Sequence, residues 1–170
     1  MKGIAQFMKV SRAQFDGDWS EAFPGAAPPW ADIRLPERAT AGSAGYDFFS
    51  PAAFELAPSA TVKIPTGIRA RIDGGWVLML FPRSGLGFKY RLQLNNTVGI
   101  VDSDYYGAKN EGHIFIKLTN AGDRTLRVGA GEAFAQGVFV PFGLTCDDRA
   151  DGLRTGGFGS TGGSVEGVTR

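Results

Sequence analysis

The fold class is best indicated by the stretch Ile68-Arg69-Ala70-Arg71-Ile72, the turn Asp73-Gly74-Gly75, and the run Trp76-Val77-Leu78-Met79-Leu80-Phe81. Apolar and charged residues alternate in the first run, as in a strand with one buried face, whereas the last run is apolar throughout. A glycine-rich turn between two runs of strand length is a hairpin signature. This stretch therefore predicts two antiparallel strands that pair across a tight turn.

Further runs of strand length continue the pattern along the chain. Residues 113–119 form one, and residues 133–140, closed by Pro141, form another. The 170 residues include 25 glycines and 9 prolines, which leave little room for long helices, because an interior glycine costs about 1 kcal/mol and an interior proline about 3 kcal/mol. Many short strands predict an all-β, antiparallel jelly-roll-like sandwich or barrel rather than alternating strands and helices.

Composition limits the classes of partner and the compartment. The 18 basic and 17 acidic side chains leave a net charge of +1, so no broad electrostatic attraction to nucleic acid or an anionic membrane is expected. The single cysteine, Cys146, cannot form an internal disulfide, which favours a reducing compartment. Residues 1–16 lack the continuous apolar run of a signal peptide, and no later run could span a bilayer. We expect one cytoplasmic domain.

Two segments differ from the rest in composition. Residues 17–40 are polar, contain prolines and carry Trp19 and Trp30, which predicts an ordered surface excursion on a β-domain of residues 1–151. Residues 152–170 are rich in glycine, serine and threonine, with Phe158 as the one large apolar residue. Such a segment cannot fold by itself, and we expect a flexible C-terminal arm.

Three short motifs are ambiguous when each is taken alone. Ala44-Gly45-Tyr46-Asp47 fits an ordinary turn in which Asp47 caps backbone amides. Pro82-Arg83-Ser84-Gly85 fits a turn after a strand, but its guanidinium, hydroxyl and amides also suit an anion. Residues 157–162 fit a linker or a wrap around a terminal phosphate. Each motif by itself favours the structural interpretation.

Together and in this order, the motifs resemble the five motifs of the trimeric dUTPase family, over about residues 41–162. The five segments are 44–47, 82–85, 96–105, 131–136, and Arg154 with 156–162. The resemblance implies a jelly-roll subunit in a homotrimer whose active sites are shared between subunits. It also implies hydrolysis of dUTP to dUMP and pyrophosphate, which keeps uracil out of DNA and supplies dUMP for thymidylate synthesis.

The resemblance gives the third motif the base and sugar contacts. Asp102 matches the carboxylate that orients and deprotonates the water attacking the α-phosphate, a role that requires hydrogen-bond reach. Asn96 matches the uracil-reading position, and backbone groups of the same hairpin, Gly99 among them, complete the contacts. Tyr105 resembles the aromatic residue that packs under deoxyribose and leaves no room for a 2′-hydroxyl. Asp104 keeps its interpretation as a turn residue.

The remaining motifs are expected to hold the triphosphate. By resemblance, Arg83, Ser84 and Gly85 grip the phosphates, assisted by Gln136. In the arm, Phe158 would stack over uracil. The other substrate-binding residues expected in the arm are Arg154, Gly159, Ser160 and Thr161. Of these, Arg154, Ser160 and Thr161 would close on the γ-phosphate.

Mg²⁺ is implied by the resemblance, but the sequence offers no dedicated cage of ligands for it. The ion is expected mainly on the triphosphate oxygens, with waters completing its shell, as suits a small hard cation. Asp47 is a candidate to contact those waters, and a structural role fits it equally well. His113, the only histidine, fits a residue that caps or lines a strand better than a metal ligand.

The sequence departs from the family pattern in three places. The spacing from Arg154 to Phe158 is one residue shorter than usual, which puts the role of Arg154 in doubt. Residues 108–112 follow Tyr106-Gly107 where the family enters a strand directly, so the hairpin is lengthened. The excursion at residues 17–40 lies outside the minimal family core, and its two tryptophans could cover an interface or shield the site.

Two other functions compete with this interpretation. The dCTP deaminases share the fold and resemble the chain at the second and third motifs, but Lys117 occupies the position of their catalytic glutamate and cannot shuttle a proton there. They also lack the glycine-rich arm with Phe158. The second alternative is a jelly-roll protein that binds nucleotide only as a regulatory switch, against which Asp102 counts, because a pure binder needs no base.

Overall fold

The computed structural model describes residues 3–152 as a set of short antiparallel strands with few helices. The strands are β1 (Ala5–Lys9), β2 (Tyr46–Phe49), β3 (Phe54–Leu56), β4 (Thr61–Pro65), β5 (Ile68–Ile72), β6 (Trp76–Pro82), β7 (Leu92–Leu94), β8 (Gly99–Val101), β9 (Phe115–Asn120), β10 (Leu126–Val128) and β11 (Ala133–Pro141). The α-helices are α1 (Arg12–Ala22) and α2 (Ser84–Tyr90), and 3-10 helices occupy Trp30–Asp32 and Ser103–Gly107.

The strands form four sheets in which every pairing is antiparallel. One sheet has the order β2-β11-β6-β8 and another has the order β4-β9-β7, while β1 pairs with β5 and β3 pairs with β10. The all-β, jelly-roll-like prediction is confirmed. Among residues 3–152, no helix is long and apolar enough to cross a membrane.

The two later strands predicted from the sequence form where they were expected. Strand β9 buries Ile116 and Leu118, with Ile114 buried just before it, as their alternate spacing predicts. Strand β11 runs to Pro141 along the whole length of β6, and it buries Phe134 completely. These strands supply much of the core beneath the candidate site.

The predicted hairpin at residues 68–81 is wrong in its pairing. Both strands form, but β5 pairs with β1, whereas β6 lies between β11 and β8. The intervening turn, with Gly75 at a φ of 82°, therefore carries the chain from one sheet to another. Each strand pairs with a partner distant in sequence instead of with its neighbour. For β6 the reason is that all seven of its residues pair with β11.

The N-terminal region also differs from its prediction, because helix α1 includes residues 17–22, the first part of the expected surface excursion. Ser11 caps the helix by accepting a hydrogen bond from the Gln14 amide at 3.1 Å. Phe15 and Trp19, four residues apart, lie on one helix face and are buried. Their burial outweighs the cost of about 1 kcal/mol for Gly17 inside a helix. Residues 17–40 are thus largely exposed but anchored in the core, and Trp19 covers no outer surface.

Candidate active site

Three of the predicted site residues, Asp47, Arg83 and Gln136, lie near one another although they come from different motifs. Strand β6 ends at Pro82, and Arg83 follows as the N-cap of α2. Its Nε atom lies 3.3 Å from Oδ1 of Asp47, which is at the start of β2. Gln136 on β11 stands opposite Asp47 on one side and Phe81 of β6 on the other. The order β2-β11-β6 therefore assembles this cluster within one chain.

A close approach explains the glycine of the first motif. A Cβ atom at Gly45 would lie 2.7 Å from Oε1 of Gln136, so the glutamine side chain occupies the space that a larger residue would need. Nε2 of Gln136 in turn donates to the Pro82 carbonyl at 3.4 Å. The first motif thus shapes the wall of the cluster through its backbone as well as through Asp47.

The residues after Arg83 form a short helix where the sequence predicted only a turn. Helix α2 begins at Ser84, and the Arg83 carbonyl accepts hydrogen bonds from the Leu86 and Gly87 amides, so the Ser84 and Gly85 amides precede the first hydrogen-bonded residues of the helix. A cleft of about 460 Å³ lies here. It is lined by Phe81, Pro82, Arg83, Ser84, Gly87, Phe88 and Gln136. A guanidinium, a hydroxyl and backbone amides around one cleft suit a polyanion.

Phe88 is a residue of this cleft that the sequence reasoning missed. Its side chain is 92% exposed, although it belongs to the most apolar class of residues. The available signal was an aromatic residue four positions after Ser84, at the spacing of one helical turn. An exposed phenylalanine at this cleft adds an apolar surface beside the guanidinium and hydroxyl groups.

The third motif is a link between two sheets rather than the paired hairpin predicted from the sequence. Strand β7 pairs with β9, whereas β8 pairs with β6. The turn between them holds Thr97 at a φ of 64° and leaves Asn96 exposed. Gly99 is buried against β6, and a Cβ atom there would come within 3.0 Å of the Leu80 Cβ atom. The glycine permits this close contact.

Asp102 and Tyr105 lie beyond β8 in contrasting environments. Asp102 is exposed at the N-cap of the 3-10 helix Ser103–Gly107. Tyr105 is only 2% exposed, and its hydroxyl donates to the His113 carbonyl oxygen at 2.7 Å. Asp102 is therefore accessible to solvent, whereas Tyr105, three residues later, is fixed in the core.

The phosphate cluster and Asp102 lie at opposite ends of β6. Val101, the residue before Asp102, pairs with Leu78, whereas Arg83 follows Pro82 at the far end of the strand. The five residues from Leu78 to Arg83 extend roughly 16 Å at about 3.3 Å per residue. A chain's own Arg83 and Asp102 are therefore not brought together around one phosphate group.

His113 is a buried structural residue, as its sequence interpretation held. Its Nε2 atom accepts a hydrogen bond from the Gly67 amide at 2.8 Å, so the proton is on Nδ1, which lies 2.5 Å from Oδ2 of Asp18. Burial lowers the pKa of His113 below its ordinary value, and the contact with Asp18 offsets this in part. Both ring nitrogens are thus occupied.

Asp47 is the described side chain that the sequence nominated for contact with a metal. Within residues 3–152, no three His, Cys, Asp or Glu side chains are grouped so as to hold a metal. The carboxylate of Asp47 is available beside the cleft but is paired with Arg83. A single carboxylate of this kind suits indirect contact through water with Mg²⁺ carried by a triphosphate.

Comparison with known proteins agrees with this architecture. The family model described as dUTPase matches residues 31–162. The chain belongs to the dUTPase family. It is 42% identical over 135 residues to the deoxyuridine 5′-triphosphate nucleotidohydrolase of Lactococcus lactis, a match that covers 78% of this chain and 90% of that protein.

Solved dUTPase structures share the fold. The crystal structure of dUTPase from Streptococcus mutans superposes with a TM-score of 0.63 at 38% sequence identity, covering 82% of this chain and 97% of that one. A D95N dUTPase from phage phi11 of S. aureus, described as coordinating a structural Mg(II) ion, has a TM-score of 0.63 at 22% identity. That match covers 88% of this chain and 98% of the phage chain, and it reflects the fold alone.

The fifth dUTPase motif falls on residues that the structure does not describe. Its predicted substrate-binding residues lie beyond residue 152; they are Arg154, Phe158, Gly159, Ser160 and Thr161. The expected flexible arm at residues 152–170 therefore remains a prediction from the sequence.

Proposed function

We propose that this chain is a dUTP diphosphatase, which hydrolyses dUTP to dUMP and pyrophosphate. The observation that carries the proposal is the cluster of Asp47, Arg83 and Gln136 beside the start of α2. This cluster lies in the part of the chain that matches the dUTPase family. It gives a triphosphate a charged partner, an amide and backbone donors in one cleft, which a jelly-roll protein without a nucleotide ligand does not need.

The reaction is an in-line attack of water on the α-phosphorus. Asp102 accepts a proton from the water while the water oxygen forms the new bond to the α-phosphorus. The bond from the α-phosphorus to the oxygen that bridges to the β-phosphate breaks. Pyrophosphate leaves with that oxygen. Arg83, Ser84, Gly85 and Gln136 hold the phosphate oxygens as charge builds on them, and donors that are fixed beforehand stabilise that charge with little reorganisation.

Base and sugar selection belong to the third motif. Asn96 and the backbone near Gly99 bind the uracil edge, and the exposure of Asn96 leaves its amide accessible. Tyr105 forms the floor under deoxyribose, where a 2′-hydroxyl would collide. Lys117 on β9 supports hydrolysis over deamination, because a deaminase needs a catalytic glutamate at this position. Lys117 is exposed, and its partner on the adjacent strand is Lys63, so this pair of positions supplies no carboxylate.

Mg²⁺ would be held by the triphosphate, with Asp47 reaching its waters, and when bound it neutralises part of the phosphate charge. The sequence of the arm adds an aromatic ring, Phe158, to stack on uracil. The groups proposed to close over the phosphates are Arg154, Gly159, Ser160 and Thr161. Closure of this kind would exclude water other than the nucleophile.

The active enzyme is proposed to be a homotrimer with shared sites. The separation of roughly 16 Å between Arg83 and Asp102 along β6 supports this arrangement, because it leaves each chain with two partial sites. An Arg83 cluster from one subunit and an Asp102 segment from another complete one site.

The decisive experiment is pyrophosphate release from dUTP, measured beside UTP, dCTP and dTTP with Mg²⁺ present. We expect rapid release from dUTP alone. Deamination of dCTP, read as ammonia release, would favour the deaminase instead. Tight nucleotide binding without either product would indicate the regulatory binder.

A further inference from the structure

The hydroxyl of Tyr105 is held by a loop that follows it in the chain. It donates to the His113 carbonyl oxygen at 2.7 Å and accepts from Nδ2 of Asn110 at 2.8 Å. Asn110 belongs to residues 108–112, by which this sequence lengthens its third motif, and His113 follows them directly. The position of this loop therefore sets the position of the buried tyrosine ring.

Helix α1 holds the same loop at two points. Oδ2 of Asp18 lies 2.5 Å from Nδ1 of His113, whose side chain is fully buried. At the start of the helix, the amide and the hydroxyl of Ser11 both donate to the Glu111 carboxylate, at 2.8 and 2.6 Å. These contacts join residues about a hundred positions apart in the sequence, so α1 and the loop form one unit.

The other side of the loop has little freedom either. Nη2 of Arg69 on β5 donates to the Tyr106 carbonyl at 2.7 Å, and its guanidinium lies 3.7 Å from the centre of the Tyr106 ring. Gly112 has a φ of 70°, and a Cβ atom there would lie 2.7 Å from the Tyr105 carbonyl oxygen. A loop confined between β5 and α1 transmits a shift on one side to the tyrosine.

We propose that Asp18 and His113 are positioning residues that fix the Tyr105 ring and thereby set the discrimination between deoxyribose and ribose. The inference rests on the proposed function, in which Tyr105 forms the floor under the sugar. Asp18 lies before residue 31, where the match to the dUTPase family model begins. The contact from Asp18 to His113 therefore reaches the matched region from outside it.

The physical reason is the steepness of a steric contact. Exclusion of a 2′-hydroxyl depends on a gap smaller than one oxygen atom, so a small movement of the ring admits ribose while deoxyribose still fits. Displacements of about 1 Å in a reacting complex change rates by as much as 100-fold. Loss of the contact from Asp18 to His113 should therefore raise UTP turnover much more than it changes dUTP turnover.

The experiment compares kcat/KM for dUTP and for UTP in the full-length protein and its variants. Asp18→Ala removes the acceptor of the His113 Nδ1 proton, and we expect the dUTP/UTP ratio to fall by about tenfold. Asp18→Asn keeps an oxygen acceptor and should restore most of the ratio. Glu21→Ala is the matched control: it removes an acidic residue from the same helix, where the side chain is 79% exposed, and should leave the ratio unchanged.

Each outcome decides the inference. A dUTP/UTP ratio for Asp18→Ala within about twofold of the wild-type value overturns it, because stability loss alone acts on both substrates equally. If Asp18→Ala does not fold, Tyr105→Phe cuts the same connection at its other end, and an unchanged ratio there overturns the inference as well. Wild-type protein that neither binds nor cleaves dUTP refutes the proposed function, whereas active wild type with unchanged variant ratios refutes only this inference.

Discussion

The two ends of strand β6, to which we assign different parts of the proposed chemistry, are built in different ways. At the Pro82 end, Arg83, Asp47 and Gln136 come from three strands or their ends and contact or face one another within a single chain. At the Leu78 end, Asp102 is exposed, while Tyr105 behind it is buried and hydrogen-bonded. The cluster at the Pro82 end is thus assembled from neighbouring strands, whereas the Leu78 end combines an exposed aspartate with a buried, hydrogen-bonded tyrosine.

This difference is consistent with the proposed shared site, in which no single β-subunit surrounds the nucleotide. The sheet fixes both ends of β6 rigidly but holds them apart, so that neither end can complete a site by a small movement of side chains. The proposed homotrimer would bring the Arg83 end of one chain to the Asp102 end of another, and its symmetry would repeat that contact at each of the three sites.

The largest expected effect comes from removing the proposed base at the Leu78 end. Asp102→Asn keeps the shape of the side chain but cannot accept the proton of the water, so kcat should fall by about 100- to 10,000-fold. Nucleotide affinity should change little, because the phosphate cluster at the other end of β6 is untouched. Single-turnover kinetics and calorimetric titration with a non-hydrolysable dUTP analogue separate the two quantities. Turnover within a few-fold of wild type would exclude Asp102 as the base.

A mixture of two inactive variants tests the separation of the ends directly. Arg83→Ala disables the phosphate end, and Asp102→Asn disables the base end. After the two proteins are unfolded, mixed in equal amounts and refolded together, random assortment into trimers should leave about one quarter of the sites intact. Activity should then rise to about that fraction of wild type.

The control is each variant refolded alone, which should remain inactive. Recovery is possible only if a site takes Arg83 from one chain and Asp102 from another. A mixture no more active than its components would show that one chain supplies both groups. The relation between the two ends of β6 described above would then not reflect the working enzyme.

The sequence predicted the fold class and the strands β9 and β11 correctly, because alternate burial and turn residues are local signals. It predicted the wrong partner for β5 and β6, since a glycine turn specifies a reversal of direction but not which strand will offer the longer ladder. Helix α1 was not predicted, because the frequent glycines and prolines were taken to leave little room for helices, although the Ser11 cap and the spacing of Phe15 and Trp19 were visible.

For the site, motif order was enough to nominate Arg83, Gln136 and Asp102, but not to say which of them meet. Their grouping depends on sheet order, in which residues 47 and 136 become neighbours across nearly ninety positions. The role of Asp18 could not be inferred from the sequence, because its partner His113 lies 95 positions away. Long-range pairings of this kind follow from packing rather than from any local pattern.

The smallest expected effect concerns stability at the Leu78 end, where His113 titrates. Burial lowers its pKa in the folded protein, whereas the unfolded chain should show an ordinary value of about 6.5. Below that pH the unfolded state binds a proton that the folded state does not, so the free energy of unfolding should decrease as pH falls from about 6.5. The slope should reach at most about 1.4 kcal/mol per pH unit, and the contribution is fully present above pH 6.5.

Urea unfolding at pH 7.5, 6.5 and 5.5, at one fixed protein concentration, measures this slope. His113→Gln should be less stable at every pH but should lose the added decrease between pH 6.5 and 5.5. The comparison is clean because the chain has a single histidine, and Glu111, whose pKa is lowered by its hydrogen bonds to Ser11, loses its contribution only as pH falls below about 4.5. Parallel pH curves for wild type and variant would mean that His113 is not held neutral in the fold. The hydrogen bond from the Gly67 amide to Nε2 would then have to be abandoned, and with it the fixed tautomer on which the Asp18 contact depends.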